Sequence, residues 1–145
     1  MSLNNYVYFQ VTTKAIIKKG SNILLSIRSD GYYDFPGGRI DESEIDLSFD
    51  QALTRELREE LGNSFQFDIK EVAFITKRRY SSNNKDHRII AIFFETLYKD
   101  GEVHLSEEHA KSEWIDPKSI LDNPEKFLSQ DEYNQYKKYC KLISN

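Results

Sequence analysis

Residues 35–62 read FPGGRIDESEIDLSFDQALTRELREELG, and the fold turns on how this run is divided. Ser48, with Gln51 three positions on, is the signature of a helix N-terminus whose two side chains cap each other's backbone N–H groups. Gly62 is the residue that most readily takes the left-handed conformation after a last helical turn. Together they predict a helix over about 49–61. At about 100° per residue, Leu53, Leu57 and Leu61 form one stripe, and Glu56, Glu59 and Glu60 form the stripe beside it. Like charges so placed repel by roughly 0.2–0.5 kcal/mol per pair. A solvated acidic face paired with Arg55 and Arg58 is one reading. A hard divalent cation, Mg²⁺ or Mn²⁺, held by carboxylate oxygens is the other. Pro36-Gly37-Gly38 favours the second, because paired glycines let a backbone approach a bound group closely.

Working outward, residues 6–18 are rich in β-branched and aromatic side chains and predict a strand. Gly20-Ser21-Asn22 then turns the chain into a second strand at 23–27. Downstream, 65–80 and 88–98 are strand-like runs joined by the polar residues 81–86, and Trp114-Ile115 marks a short further strand. A second helix, about 130–143, starts after Ser129, with Glu132 placed to close another capping box. Its packing stripe is Tyr133, Tyr136, Cys140 and Ile143. The order is that of an α+β fold, an α/β/α sandwich with a mixed β-sheet between two helices, in a single domain over 1–145.

Composition narrows the function classes. Apolar residues make up 39% and aromatics 13% of the 145 residues, as in ordinary globular domains. No apolar run is long enough to span a bilayer, and the N-terminus lacks a secretory signal pattern. Cys140 is the only cysteine; it excludes an internal disulfide and fits a cytoplasmic location. The net charge of −4 argues against broad attraction to nucleic acid or membrane. A phosphate-bearing ligand would therefore need a metal ion or a local basic patch, for which Lys77, Arg78, Arg79 and, after a turn, Lys85 and Arg88 are candidates.

The quoted stretch resembles the Nudix box. That pattern runs Gly, five residues, Glu, seven residues, Arg-Glu, an apolar residue, any residue, Glu-Glu, any residue, Gly, an apolar residue. Gly38 and Glu44 match the first part, and Arg55, Glu56, Leu57, Glu59, Glu60 and Gly62 match the second. Two departures stand out. Ten residues, not seven, separate Glu44 from Arg55, so residues 45–47 read as an extension of the loop, and Glu42 is the alternative to Glu44. Asn63 replaces the final apolar residue.

Membership of this MutT-like hydrolase family implies a pyrophosphatase that uses Mg²⁺ (or Mn²⁺) to cleave a nucleoside diphosphate linked to another group. Carried over, Glu56 and Glu60 are principal metal ligands, and Glu59 is a third ligand or the base. Arg55 orients a glutamate, Glu44 is its partner, and Gly38 lends its backbone to the metal site. A loop outside the box, at Glu107 or Glu108, is the other place for a base. His87 and His104 have no recognisable partner. Tyr33, Tyr80, Arg78 and Arg79 are candidates for substrate binding, with Tyr8, Phe9 and Tyr32 as further aromatics able to stack a base.

Tyr80 lies 18 residues after Gly62, about where diadenosine-polyphosphate hydrolases of the family carry a tyrosine. The proline of ADP-ribose hydrolases is missing from 77–79. The expected substrate is thus a small nucleotide, an NTP, dNTP or dinucleoside polyphosphate. ADP-ribose or sugar-nucleotide hydrolysis, RNA 5′-pyrophosphohydrolysis and a catalytically silent nucleotide-binding regulatory module are the alternatives. A homodimer fits the family's habits.

Overall fold

The computed structural model describes residues 5–104 and 111–144. Seven strands form one mixed sheet. They are β1 (Gln10–Lys19), β2 (Asn22–Ile27), β3 (Tyr33–Asp34), β4 (Gly37–Arg39), β5 (Gln66–Ser82), β6 (Lys85–Asp100) and β7 (Lys111–Ile115). The main path runs β3-β2-β1-β6-β5, with β4 paired to β1 and β7 to β2. Among the described residues, only β1 and β6 pair in parallel; the other pairings are antiparallel. Helices α1 (Phe49–Leu61) and α2 (Gln130–Ile143) cover opposite faces, as the expected sandwich requires.

Because β1 is covered on both sides, residues 12–17 are buried without alternation, and Ala15, Ile16 and Ile17 are consecutive apolar residues. Ala15 and Ile17 pack with Leu53, Leu57 and Leu61 of α1, whereas Ile16 packs with Phe35, Phe74, Phe93, Tyr136 and Cys140 on the α2 side. The leucine stripe of α1 is therefore core, and Leu57 is fully buried. Leu57→Ala should destabilise the protein by about 2–5 kcal/mol; urea unfolding checks this, and an unchanged midpoint would mean the stripe carries no packing. Cys140 is a buried core residue whose thiol points at the Pro117 carbonyl.

The caps of α1 form as expected: Ser48 Oγ accepts the Gln51 N–H at 3.1 Å and Gln51 Oε1 accepts the Ser48 N–H at 3.0 Å. Gly62 does take a positive φ, +94°, but with ψ 158°, an extended region open essentially to glycine alone rather than the left-handed helical one. The Leu61 carbonyl is instead satisfied from outside the helix, by the His104 backbone N–H at 2.9 Å.

Four expectations are corrected. The first strand begins at Gln10, not residue 6, and Tyr6 and Tyr8 are exposed and lie outside it. The polar residues 81–86 are mostly strand: β5 and β6 pair out to Ser82 and Lys85, and only Asn83-Asn84 turns. Both have φ near +60°, the two-residue hairpin geometry that asparagine tolerates. In α2, Ser129 caps the Glu132 N–H, but the Glu132 carboxylate does not close the box; it turns into the protein to Arg78 and Thr76. Ile143 lies outside the packing stripe, and Tyr139 takes its place.

Candidate active site

Arg55 is the hub of the acidic helix face. Its Nε donates to Glu44 Oε2 at 2.9 Å, Nη2 donates to Glu56 Oε1 at 2.9 Å, and Nη1 donates to Glu59 Oε1. Glu44 reaches it despite the longer loop. Asp41 caps a 3₁₀ turn over Glu42–Glu44, and Glu44 Oε1 closes that cap by accepting the Asp41 N–H. The carboxylate thereby turns inward and is buried, while residues 45–47 spill outward with Ile45 69% exposed. Glu42, the alternative, is exposed. The Arg55 hydrogen bond holds the Glu44 carboxyl below the usual carboxylate range. Glu56 behaves oppositely: burial, with Glu60 and Glu59 adding to it, outweighs Arg55 and pushes its carboxyl up.

Gly37 and Gly38 meet this face directly. The Gly37 N–H donates to Glu60 Oε2 at 3.1 Å. A Cβ on Gly38 would stand 2.5 Å from Glu56 Oε2, and one on Gly37 would stand 2.0 Å from the Thr13 carbonyl oxygen of β1. The two glycines are thus needed for different reasons. Gly38→Ala meets the end of a flexible side chain and should displace Glu56 with little change in melting temperature. A misplacement of that kind can lower turnover on the order of 10²-fold. Gly37→Ala meets backbone at φ +139°, so it should lower stability, by roughly 1–3 kcal/mol for the strain alone. Thermal melts beside steady-state rates separate the two; a fully active Gly38→Ala protein would remove Glu56 from the site.

Among the described residues, no three His, Cys, Asp or Glu side chains converge as they stand on a point that would hold a metal ion. Arg55 takes up Glu59 and one oxygen of Glu56, and Gly37 takes one oxygen of Glu60. The donors fit a hard divalent cation in kind, since all are carboxylate oxygens. The gap at Gly38, which a single Cβ would fill, brings backbone against them.

On its other side Gly38 lines a cleft of about 580 Å³, with Thr12, Lys14, Tyr32, Asp34, Arg39, Arg78, Tyr80 and Phe127 around it. Of the expected substrate residues, Tyr80 and Arg78 are there and two are not. Tyr33 points into the core, edge-on to Phe127, with its hydroxyl accepting from Asn123; Tyr32, its neighbour, faces the cleft instead. Arg79 lies on the opposite side of β5 from Arg78, exposed and paired with Asp86, as alternation along a strand demands. Tyr8 and Phe9 also lie away from the cleft lining. Glu107 and Glu108 lie outside the described residues. His87, for which the sequence offered no partner, stacks on Tyr80 with ring centroids 4.7 Å apart.

Sequence reasoning missed Arg39, Lys14 and Asp34. Arg39 lies just after the paired glycines and donates to Gln10 and to the Tyr80 hydroxyl. Lys14 and Asp34 pair at 3.2 Å on the cleft floor, and Asp34 also accepts from Arg78 at 3.2 Å. Two signals were available: the position of Arg39 beside Gly38, and the same-face spacing of Arg78 and Tyr80. For Asp34 no local signal exists, because β3 has only two residues.

The model of the NUDIX domain matches residues 9–138. No curated protein matches the chain at a significant level. Solved structures do. A MutT protein from Methanosarcina mazei Go1 shares 24% identity at TM-score 0.72, over 94% of this chain and 96% of that one. The ORF135 protein of E. coli shares 25% at TM-score 0.68, over 93% and 91%. An ADP-ribose pyrophosphatase from Streptococcus suis 89-1591 shares 21% at TM-score 0.64, over 94% and 92%. No helix among the described residues is long and apolar enough to cross a membrane. With the family model covering most of its length and the glutamate helix set against paired glycines at the mouth of a cleft, the chain belongs to the Nudix family of pyrophosphohydrolases, which act on phosphoanhydride bonds with divalent cations.

Proposed function

We propose that this protein hydrolyses, with Mg²⁺ or Mn²⁺, a pyrophosphate bond in a nucleoside diphosphate linked to a further group. Nucleoside triphosphates, deoxynucleoside triphosphates or dinucleoside polyphosphates are its preferred substrates over ADP-ribose. One observation carries the reading: Gly38 touches Glu56 on one side and lines the cleft on the other, so a phosphate chain in the cleft reaches the carboxylates.

Glu56 and Glu60 would hold the cation, with Glu59 joining them or acting as base. When bound, the cation neutralises phosphate oxygens and lowers the pKa of the attacking water. Arg55 fixes the carboxylates before substrate arrives, and buried Glu44 fixes Arg55. Glu59, the most exposed of the three at 59% for its side chain, is the one with room to turn toward the water and take its proton. Arg39 meets the phosphate chain beside Gly38, and Tyr80 offers a face to the base.

A hydrolysis screen with Mg²⁺ over NTPs, dNTPs, ADP-ribose, diadenosine polyphosphates, sugar nucleotides and 5′-triphosphate RNA tests this, with Glu60→Gln as the blank. Rapid cleavage of an NTP, dNTP or dinucleoside polyphosphate by the wild type alone is the expected result. Preference for ADP-ribose would overturn the substrate order. Tight binding without turnover would turn the reading to a regulatory module.

A further inference from the structure

The floor of the cleft holds two buried cations, Lys14 and Arg78, each 7% exposed. Their charges are already balanced. Lys14 pairs with Asp34, and Arg78 pairs with Asp34 at 3.2 Å and with Glu132 at 2.6 Å. Two cations against two carboxylates leave no net charge to attract a phosphate. Their hydrogens, however, are not used up. Lys14 carries three N–H bonds and gives two, to Asp34 and to the Gly37 carbonyl. Arg78 carries five, and Nη1 gives none to any protein group among the described residues. Nη1 is not among the fully buried polar atoms that lack a partner, which are Thr13 Oγ1, Ser112 Oγ and Glu132 Oε2 among the described residues, and Arg78 lines the cleft.

The acceptors on the floor are largely engaged by comparison, and Glu132 Oε2, which has no partner, is buried away from the cleft lining. Asp34 Oδ1 accepts from the Phe35 N–H and from Arg78, and Oδ2 accepts from Lys14. The Thr12 hydroxyl can serve either way. Asp30 and Glu125, the other carboxylates of the cleft, are exposed residues rather than part of this buried floor. Arg39 is different again. Its hydrogen-bond partners, Gln10 and the Tyr80 hydroxyl, are neutral, so no carboxylate among the described residues compensates its charge beside Gly38, where a phosphate would be. The phosphates thus belong at the Arg39 end, and the balanced donor floor lies under what remains, between Tyr80 and Phe127.

We propose that this floor makes the enzyme selective for keto bases, guanine, uracil or thymine, over the amino bases adenine and cytosine. The inference rests on the hydrolase reading above for its substrate class. The 6-oxo group of guanine, or the 4-oxo group of uracil or thymine, aimed at Lys14 and Arg78 Nη1 completes their hydrogen bonding, where adenine and cytosine carry an amino group. An exocyclic amino group there sets donor against donor and leaves both buried cations short of an acceptor, and this costs more than the loss of one contact.

The test is the ratio of kcat/KM for GTP, UTP and dTTP to that for ATP and CTP, with Mg²⁺. Calorimetric binding of the α,β-methylene analogues of GTP, UTP and ATP runs beside it. The expected result is a preference of about tenfold or more for at least one keto nucleotide over both amino nucleotides, and the same order in binding. Lys14→Met should bring the ratio toward one, whatever it does to absolute rates. If that variant does not fold, the wild-type ratio decides alone. Turnover with equal ratios, or an ATP or CTP preference, would overturn the base selection and leave the hydrolase reading standing. Absence of turnover with selective binding of a keto analogue would do the reverse. Failure of all the analogues to bind would overturn the inference.

Discussion

Glu56→Gln should lower kcat by about 10²-fold or more while leaving the apo protein at least as stable as the wild type. The catalytic half follows from losing a charged oxygen donor at the place where the proposed function puts a hard cation. The stability half follows from electrostatics. Burial, together with Glu60 and Glu59, raises the Glu56 carboxyl above its ordinary value. A carboxyl whose folded pKa is raised contributes stability at low pH, and this is lost as pH rises through the folded value. At neutral pH its ionised form is therefore a cost. An amide of the same shape removes that cost and still offers Arg55 an oxygen. Glu60→Gln should behave alike in turnover, with the Gly37 N–H keeping an acceptor. Steady-state rates with Mg²⁺, beside thermal melts of the metal-free proteins, check both halves. Full activity in both variants would remove this face from the chemistry, and a collapsed melt would mean these residues serve the fold instead.

Arg78→Ala should destabilise the protein by about 3–5 kcal/mol. It leaves Glu132 fully buried with no cation, one of its oxygens already without any partner, and leaves Asp34 with Lys14 alone. The companion change restores much of the loss. With Arg78→Met and Glu132→Leu together, no buried charge is stranded, and replacing an ion pair by apolar groups of similar size is often neutral. Urea unfolding of the two proteins decides; a loss below about 1 kcal/mol in Arg78→Ala would show that water reaches the pair.

The acid side follows from Asp34. Burial alone would raise its pKa, but Lys14 and Arg78, with the Phe35 N–H, more than offset that and hold it below its ordinary 3.8. A carboxyl with a lowered folded pKa contributes stability above its unfolded pKa and loses it as pH falls through the folded value. Removing Arg78 takes away one cause of the lowering. Acid unfolding should then begin at a higher pH than in the wild type.

The helix that carries the glutamates was legible from residue types because its determinants are local. Ser48 and Gln51 cap it, the leucines recur at its period, and the chain after Leu61 needs a glycine's positive φ. The paired glycines and the box pattern were equally local, and so was the order of long strands, whose composition holds over ten or more residues. Tertiary structure decided the rest, for a common reason: where a side chain points at a strand or loop depends on what its backbone pairs with. Strands of two and three residues, β3 and β4, carry no periodicity of their own. Pairing of β3 with β2 sent Tyr33 to the core and Tyr32 to the cleft. Register with β6 put Arg78 on the floor and Arg79 outside. A buried cation drew Glu132 away from the helix end it was placed to cap. Glu44 reached Arg55 across a longer loop because a capped 3₁₀ turn let the extra residues bulge outward. Local sequence thus determined the acidic helix and the glycines before it, and only the packed sheet decided which side chains share the cleft with them.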